Sequence, residues 1–320
     1  MTWTRDIPET DWDAHLERHP EATIFHTRIW SRVVRRAFPQ IRDVSLWRAG
    51  DDAAALPLYE WRRGRGLVRH LHSSFPFLYG GPVPWPAGGG WKAWGPAVDG
   101  AAGATLIANP FARRAAPPER VPAGWRLEED RTHLLRLPET PEEFWESILT
   151  TQKRNDIRRL TRKGVTVELA ADPAAVDRVH ALYLQRVASW TERPGMVYPP
   201  AYFHAMAELG GAAVRLYVVL HEERIIGGTF IARWGDKVHY VAGYFDHEAR
   251  KLRPNVVVQD RIIRDAIAGG FALYDMLPSA GLRNVEVFKE SFGSQPVSFW
   301  RLERRGRLQS WARRLRKLRR

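Results

Sequence analysis

At 320 residues, 44% hydrophobic and 11% aromatic, the chain has ample apolar content for packed cores and exceeds the size at which one core stays single, so two domains of roughly 125 and 190 residues are expected. The absence of cysteine removes disulfides, thiolate nucleophiles and cysteine zinc sites, and no apolar run reaches the roughly 20 residues that span a bilayer. Of the net charge of +13, +9 sits in the last twenty residues, RLERRGRLQSWARRLRKLRR, so the basicity is chiefly that of a tail.

The N-terminal MTWTRDIPETDWD is charged rather than signal-like, which leads to the expectation of a cytoplasmic protein. Thr27 to Phe38 reads as an amphipathic helix ending before Pro39. Val44 to Arg48 and Ala53 to Trp61 read as strands around the turn Gly50-Asp51-Asp52. The glycine- and proline-rich SSFPFLYGGPVPWPAGGG follows, a loop in which Tyr79 and Gly80 are candidate ligand contacts because glycine lets a ligand approach the backbone. APPERVPAGW at 116–125 reads as the crossing between halves.

The second half opens with the strand Thr132 to Leu137 and a helix capped by Thr140, stopped by Gly164. Its far end carries Lys153, Arg154, Arg158, Arg159, Arg162 and Lys163, more cations than a helix dipole needs, and points to a phosphate-bearing partner. Val165 to Leu169 is a strand, and DPAAVDRVHALYLQRVASW a helix with Val176, Val179, Leu182, Tyr183 and Val187 on one side. Arg215 to Leu220 and Ile225 to Ala232 form a hairpin, Lys237 to Tyr244 a further strand, Asn255 to Ala268 a helix, and Ala272 to Met276 a strand. The stretch VEVFKESFG at 285–293 looks strand-like, with Lys289 set among aromatic residues. No HExxH spacing occurs, so no metal is assigned, and the lack of a G-x-S-x-G or P-loop pattern argues against a serine hydrolase or a P-loop NTPase.

The ordered series IRRLTRKGVTVE, ALYLQRVASWTERPG with AYFHAM, IIGGTFIARWGDKVHYVAGY, LRPNVVVQDRIIRDAIAGGFALYDM and VFKESFG resembles the Fem-type (FemAB-like) aminoacyltransferases of the GNAT-like acetyltransferase superfamily, with TIFHTRIW, ALPLYEW and FLYGGPV similar in outline in the first half. The resemblance implies an α/β (α+β) fold of two tandem GNAT-like domains, each a mixed, mostly antiparallel twisted sheet flanked by helices. They would span 1–125 and 126–305, the second carrying the catalytic strand, with a basic amphipathic tail at 306–320. It also implies acyl transfer, usually of an amino acid from aminoacyl-tRNA to an amine acceptor: a muropeptide, a peptide or a natural-product intermediate. Lys289 matches the lysine of the family's F-K-x-x-F-G stretch, which is thought to stabilise the oxyanion, and Phe292 of the same stretch becomes a substrate contact. Tyr244, Tyr274 and Asp275, at strand ends, are candidates to orient the amine or accept its proton, and Arg35 or Arg36 after Trp30 to bind an acceptor phosphate.

CoA-dependent GNAT enzymes generally grip the pyrophosphate with [QR]-x-x-G-x-[GA]. Here the corresponding stretch is Arg250-Lys251-Leu252-Arg253-Pro254-Asn255, without either glycine. Arg250, Lys251 and Arg253 with Asn255, and Lys153, Arg154 and Arg158, are therefore assigned to tRNA phosphates, with aminoacyl-tRNA as co-substrate and no cofactor. Two other readings stand beside this one: an acyl-CoA-dependent N-acyltransferase, and a non-enzymatic GNAT pair binding RNA or membrane through its tail. In that tail Leu308, Trp311, Leu315 and Leu318 share one helical face amid arginines, a pattern suited to an anionic membrane at the inner face or to RNA.

Overall fold

The computed structural model describes residues 3–304 apart from 6, 8, 52, 64–67, 77, 86–94, 96, 99–100, 113–120, 122 and 191–195. The expected basic tail at 306–320 lies outside the described residues, as does most of the expected crossing at 116–125. Contacts divide the chain into two units, Met1–Asp130 with Ser298–Arg320, and Arg131–Val297.

In the first unit, α1 (Glu9–Glu17) precedes α2 (Arg28–Ala37). Thr27 caps α2 by accepting from the Trp30 amide, and the helix buries Trp30, Val33, Val34 and Ala37 before Pro39 ends it. Trp30 Nε1 donates to the Phe75 carbonyl at 2.9 Å, satisfying the one polar atom that burial of the indole would strand. The strands are β1 (Ile41–Asp43), β2 (Leu46–Arg48), β3 (Ala54–Leu56), β4 (Tyr59–Arg63), β5 (Val68–His72) and β6 (Gly103–Ile107). Pro57, which has no amide to donate, divides the single strand expected over 53–61 into β3 and β4. β1, β4, β5 and β6 lie side by side, and β2 pairs with β3 separately.

β7 (Trp125–Arg136) leads into the second unit, whose sheet has the order β7, β12 (Leu273–Asp275), β11 (Lys237–Phe245), β10 (Arg224–Trp234), β9 (Val214–His221), β8 (Thr166–Ala170). Every pairing is antiparallel except β11 with β12. One face carries α3 (Thr151–Arg162) and α6 (Pro254–Ala268) over Leu160, Tyr217, Val219, Ile231 and Val238. α4 (Pro173–Ala188) and α5 (Pro200–Leu209) pack on the sheet as well, where Phe203 meets Phe230 edge-on at 6.0 Å. β13 (Gln295–Arg304) pairs with β6 from Arg301 on, so the chain from Ser298 belongs to the first unit rather than to a second domain ending at 305.

Two further local expectations change. The helix expected over 140–164 is interrupted: Pro141–Glu143, started by Thr140, runs into a wide π-type turn at Phe144–Ile148, and Thr150 then caps α3 afresh through the Lys153 amide. VEVFKESFG is no strand, because Arg283–Glu290 forms the helix α7 with Lys289 in its last turn. Its β-branched and aromatic residues misled because local helical contacts oppose their strand preference: Arg283 reaches Glu286 and Glu290, and Phe288 meets Phe292 four residues on at 5.4 Å.

Gly228 on β10 has no room for a methyl group, since a Cβ there would lie 2.2 Å from Val179 Cγ2 of α4. Gly228→Ala is expected to destabilise the protein by about 1–3 kcal/mol through overpacking, read as a lower urea midpoint at unchanged slope.

Candidate functional site

β11 and β12 run parallel for only three residue pairs, Lys237 to His239 against Leu273 to Asp275. β11 then continues to Phe245 with no further β12 partner among the described residues, so the sheet opens on that side. The crossover from β11 through α6 to β12 sets the start of α6 at the same end, the carboxyl end of the parallel pair, where α/β sheets bind ligands. A cavity of about 500 Å³ occupies this place, lined by Gly243 to His247 from β11 and beyond, Arg250, Arg253, Pro254 and Asn255 at the head of α6, and Gln185, Arg186 and Ser189 from the end of α4.

The cavity is basic. Its one carboxylate, Asp246, is held by Arg178 at 3.0 Å and by the Glu248 amide at 3.0 Å, whereas Arg186, Arg250 and Arg253 bring guanidinium groups to the wall. The backbone offers little to an anion. Glu248–Leu252 is a 3₁₀ turn in which the Arg250 and Arg253 amides bond to the carbonyls of His247 and Arg250; the Val256 amide bonds to Arg253, and Pro254 has none. Arg253, at φ 42, occupies the cap position without a capping side chain. Anion binding here therefore rests on guanidinium charge with the helix dipole behind it.

A second polar centre follows β12. Asp275, fully buried, accepts from Thr132 Oγ1 at 2.6 Å, His239 Nδ1 at 2.9 Å and the Leu277 amide at 3.0 Å. Lys289, 5% exposed, comes from α7 and donates to the Leu277 carbonyl at 2.5 Å. Burial pushes its ammonium down to about 8, opposed by the charges of Asp275 and Glu286. His133, also buried, has Nε2 3.6 Å from Glu290 Oε1. Burial, then the Lys289 charge, lowers its pKa against the pull of Glu290 and Glu286, so the imidazole is neutral at pH 7. This centre sets one buried cation beside a carboxylate held by three donors, with Glu286 and Glu290 at its edge.

Among the residues expected at the site, Tyr244, Arg250, Arg253 and Asn255 line the cavity together; Lys251 is exposed beside it. Lys289 and Asp275 share the polar centre, and its other members, Thr132, His133 and His239, were missed. Their only sequence signal is strand position, which does not mark chemistry. Asp275 is an anchor rather than a proton acceptor, its lone pairs already engaged. Tyr274 is a core residue: its hydroxyl donates to Gln259 Oε1 at 2.7 Å, and burial holds its pKa far above 10. Burial does the same to Tyr244, so neither phenol takes a proton from an amine.

Phe292 is fully buried, and with Phe288 it receives Lys153, whose Nζ lies 4.6 Å and 5.6 Å from the two ring centres. Lys153 is thus a buried packing cation, its pKa lowered by burial and by Arg253, and does not face a phosphate. Arg154 ties down the π-type turn, donating to the carbonyls of Trp145, Glu146 and Leu149. Arg158 stays exposed, 5.3 Å over the Trp145 ring. In the first unit Tyr79 is 1% exposed and packs edge-on against Phe25, Phe111 and Phe299, and a Cβ on Gly80 would sit 2.1 Å from the Ser73 carbonyl oxygen. Both are core, not ligand contacts. Arg35 lines a first-unit cavity of about 620 Å³ with Arg5, Arg28, Arg42 and Arg62, while Arg36 is exposed outside it.

Residues 138–290 match the family model described as an acetyltransferase (GNAT) domain. That stretch is similar to a GNAT domain, and the fold of the chain is the one shared by Fem-type and tandem GNAT structures. FemX superposes with a TM-score of 0.68 at 13% identity, over 94% of this chain and 97% of that one. The C-terminal domain of a protein described as a lysylphosphatidylglycerol synthetase, from Agrobacterium fabrum, gives 0.57 at 12% identity over 94% and 95%. A tandem GNAT protein of the clavulanic acid biosynthesis pathway gives 0.52 at 13% over 92% and 93%. No curated protein matches the sequence. Among the described residues, no helix is long and apolar enough to cross a membrane.

A lysine depressed from 10.5 to about 8 holds fewer protons folded than unfolded between those values, so its strain on the fold is present at neutral pH and relieved as pH rises through that window. Lys289→Met removes this pH dependence: in urea titrations at pH 7 and pH 9.5, the wild type should gain stability relative to the variant at the higher pH.

Proposed function

We propose that the protein transfers an aminoacyl group from charged tRNA to an amine acceptor, which is a muropeptide, a peptide or a natural-product intermediate, without a covalent enzyme intermediate. The observation that carries this reading is the cavity at the head of α6, where arginine side chains stand in place of the glycine amides that grip a CoA pyrophosphate. Guanidinium groups suit the spaced phosphates of an acceptor stem. Arg250, Lys251 and Arg253 with Asn255, and the exposed Arg158, are the proposed donor contacts. A fold likeness to a protein described as a lysylphosphatidylglycerol synthetase supports an aminoacyl group as cargo.

In this reading the donor ester is already activated, and the enzyme aligns the amine and steadies the charge formed on the carbonyl oxygen. Lys289 supplies that charge from a buried position where one donor is worth about 3–4 kcal/mol. The arginine-lined cavity of the first unit, with Arg35 in its wall, is the proposed acceptor-phosphate site. The basic tail is proposed to meet an anionic membrane surface from the cytoplasmic side. An acyl-CoA donor is the second reading, favoured by the family model's description as an acetyltransferase domain.

Product formation from charged tRNA should be abolished by RNase and untouched by omission of CoA; turnover with acyl-CoA that ignores RNase would establish the second reading. Arg250→Ala with Arg253→Ala should raise KM for the donor tenfold or more and flatten its salt dependence, whereas Lys289→Met should lower kcat roughly 100-fold or more with donor affinity kept. Because the protonated lysine is the working form, kcat should fall above pH 8, with Lys289→Arg moving that limb upward.

A further inference from the structure

The loop that carries Lys289's carbonyl partner has unusual geometry. Leu277 sits at φ 56, Ala280 at φ 51 and Gly281 at φ 73, and only the last of these is the residue that such backbone favours. The Leu282 amide bonds to the Ser279 carbonyl at 3.0 Å, so Ala280 and Gly281 are the two central residues of a tight turn of the mirror-image class, in which alanine is strained. Leu277 is held in its left-handed conformation from both sides. Its amide is taken by Asp275 and its carbonyl by Lys289, the two charged members of the polar centre. Non-glycine residues in this region persist where surrounding structure over-determines them, typically at sites that need a fixed geometry.

Ser279 lies between these strained positions. It is 6% exposed, and its hydroxyl has no hydrogen-bond partner among the described residues. A buried hydroxyl left unpaired is a standing penalty that a serine in a loop could avoid by turning to water or to the backbone. Ser279 follows Leu277 by two residues, a span of at most about 7 Å between their Cα atoms. The loop thus carries one unspent O–H two residues from the carbonyl that binds the Lys289 ammonium.

We infer that Ser279 is a second catalytic donor, its hydroxyl completing with the Lys289 ammonium a two-point hole for the oxyanion formed during acyl transfer. This rests on the acyl-transfer reading above and holds for an ester or a thioester donor. The amine lone pair forms the new C–N bond while the carbonyl π pair moves onto oxygen; collapse returns that pair, the ester oxygen or thioester sulfur leaves with its bond pair, and the proton lost by nitrogen goes to the leaving group. Ser279 gives a hydrogen bond and keeps its proton throughout. Its partner is absent among the described residues because the partner is the transition-state oxygen, which also explains why the loop tolerates strain to hold the hydroxyl in place.

The test compares Ser279→Ala, Ser279→Thr and wild type, using whichever donor, charged tRNA or acyl-CoA, the wild type turns over. A change of donor overturns the tRNA reading and leaves this comparison intact. Ser279→Ala should lower kcat roughly 10- to 1000-fold with KM for both substrates within twofold. The unfolding midpoint should be unchanged or raised, because an unpaired buried hydroxyl has been removed, and Ser279→Thr should restore part of the rate. Retention of kcat within twofold in Ser279→Ala overturns the inference. So does a rate loss accompanied by a lower unfolding midpoint that Ser279→Thr does not repair, since the serine would then be structural.

Discussion

The second unit is organised around one ammonium group that has been taken out of water. Lys289 is bound to a backbone carbonyl, lies within the field of Asp275 and Glu286, and is 5% exposed. Keeping a cation there requires that its neighbours be fixed, and the surrounding structure provides this. Asp275 is locked by three donors from β7, β11 and the loop after β12, so its charge cannot swing away. Phe288 and Phe292, on either side of Lys289 in sequence, are pinned by the Lys153 ammonium of α3. An interior that holds two lysines in this manner gives up stability for position, the exchange expected where charge must act on chemistry.

The arginine-lined cavity and the lysine centre share one topological origin. β11 and β12 separate after three residue pairs, and the crossover between them delivers the head of α6 to the end where the strands part. Arg253 joins the cavity wall to α3 through its ion pair with Asp156, three residues from Lys153. The cavity and the lysine centre thus share β11, with His239 at one end of the strand and Tyr244 at the other.

Much of this arrangement was legible in the residues. The order of strands and helices in the second half could be read because hydrophobic period and caps agree there: Asp172, Thr140 and Thr27 each start a helix as expected. Arg250, Arg253 and Asn255, singled out by the missing glycine pair, line one cavity. The failures have a common cause in burial. Arg154, Lys153, Tyr79, Gly80 and Tyr274 carry groups that look functional in a linear string, yet each is consumed by packing or by hydrogen bonds to residues outside its own element. Lys289 was found for its neighbours while its element was misread, since Val285, Val287 and Phe288 have strand propensity and only the i,i+4 contacts make them helical.

The central claim is that Lys289 remains a cation at working pH while held in a medium poor enough in water to depress its pKa. With seven lysines in the chain, ε-15N-lysine NMR resolves this group directly when the spectrum is compared with that of Lys289→Arg. The account predicts a resonance, absent from the variant, that titrates near pH 8. A Lys289 resonance that titrates above pH 10, as a hydrated lysine does, would contradict it.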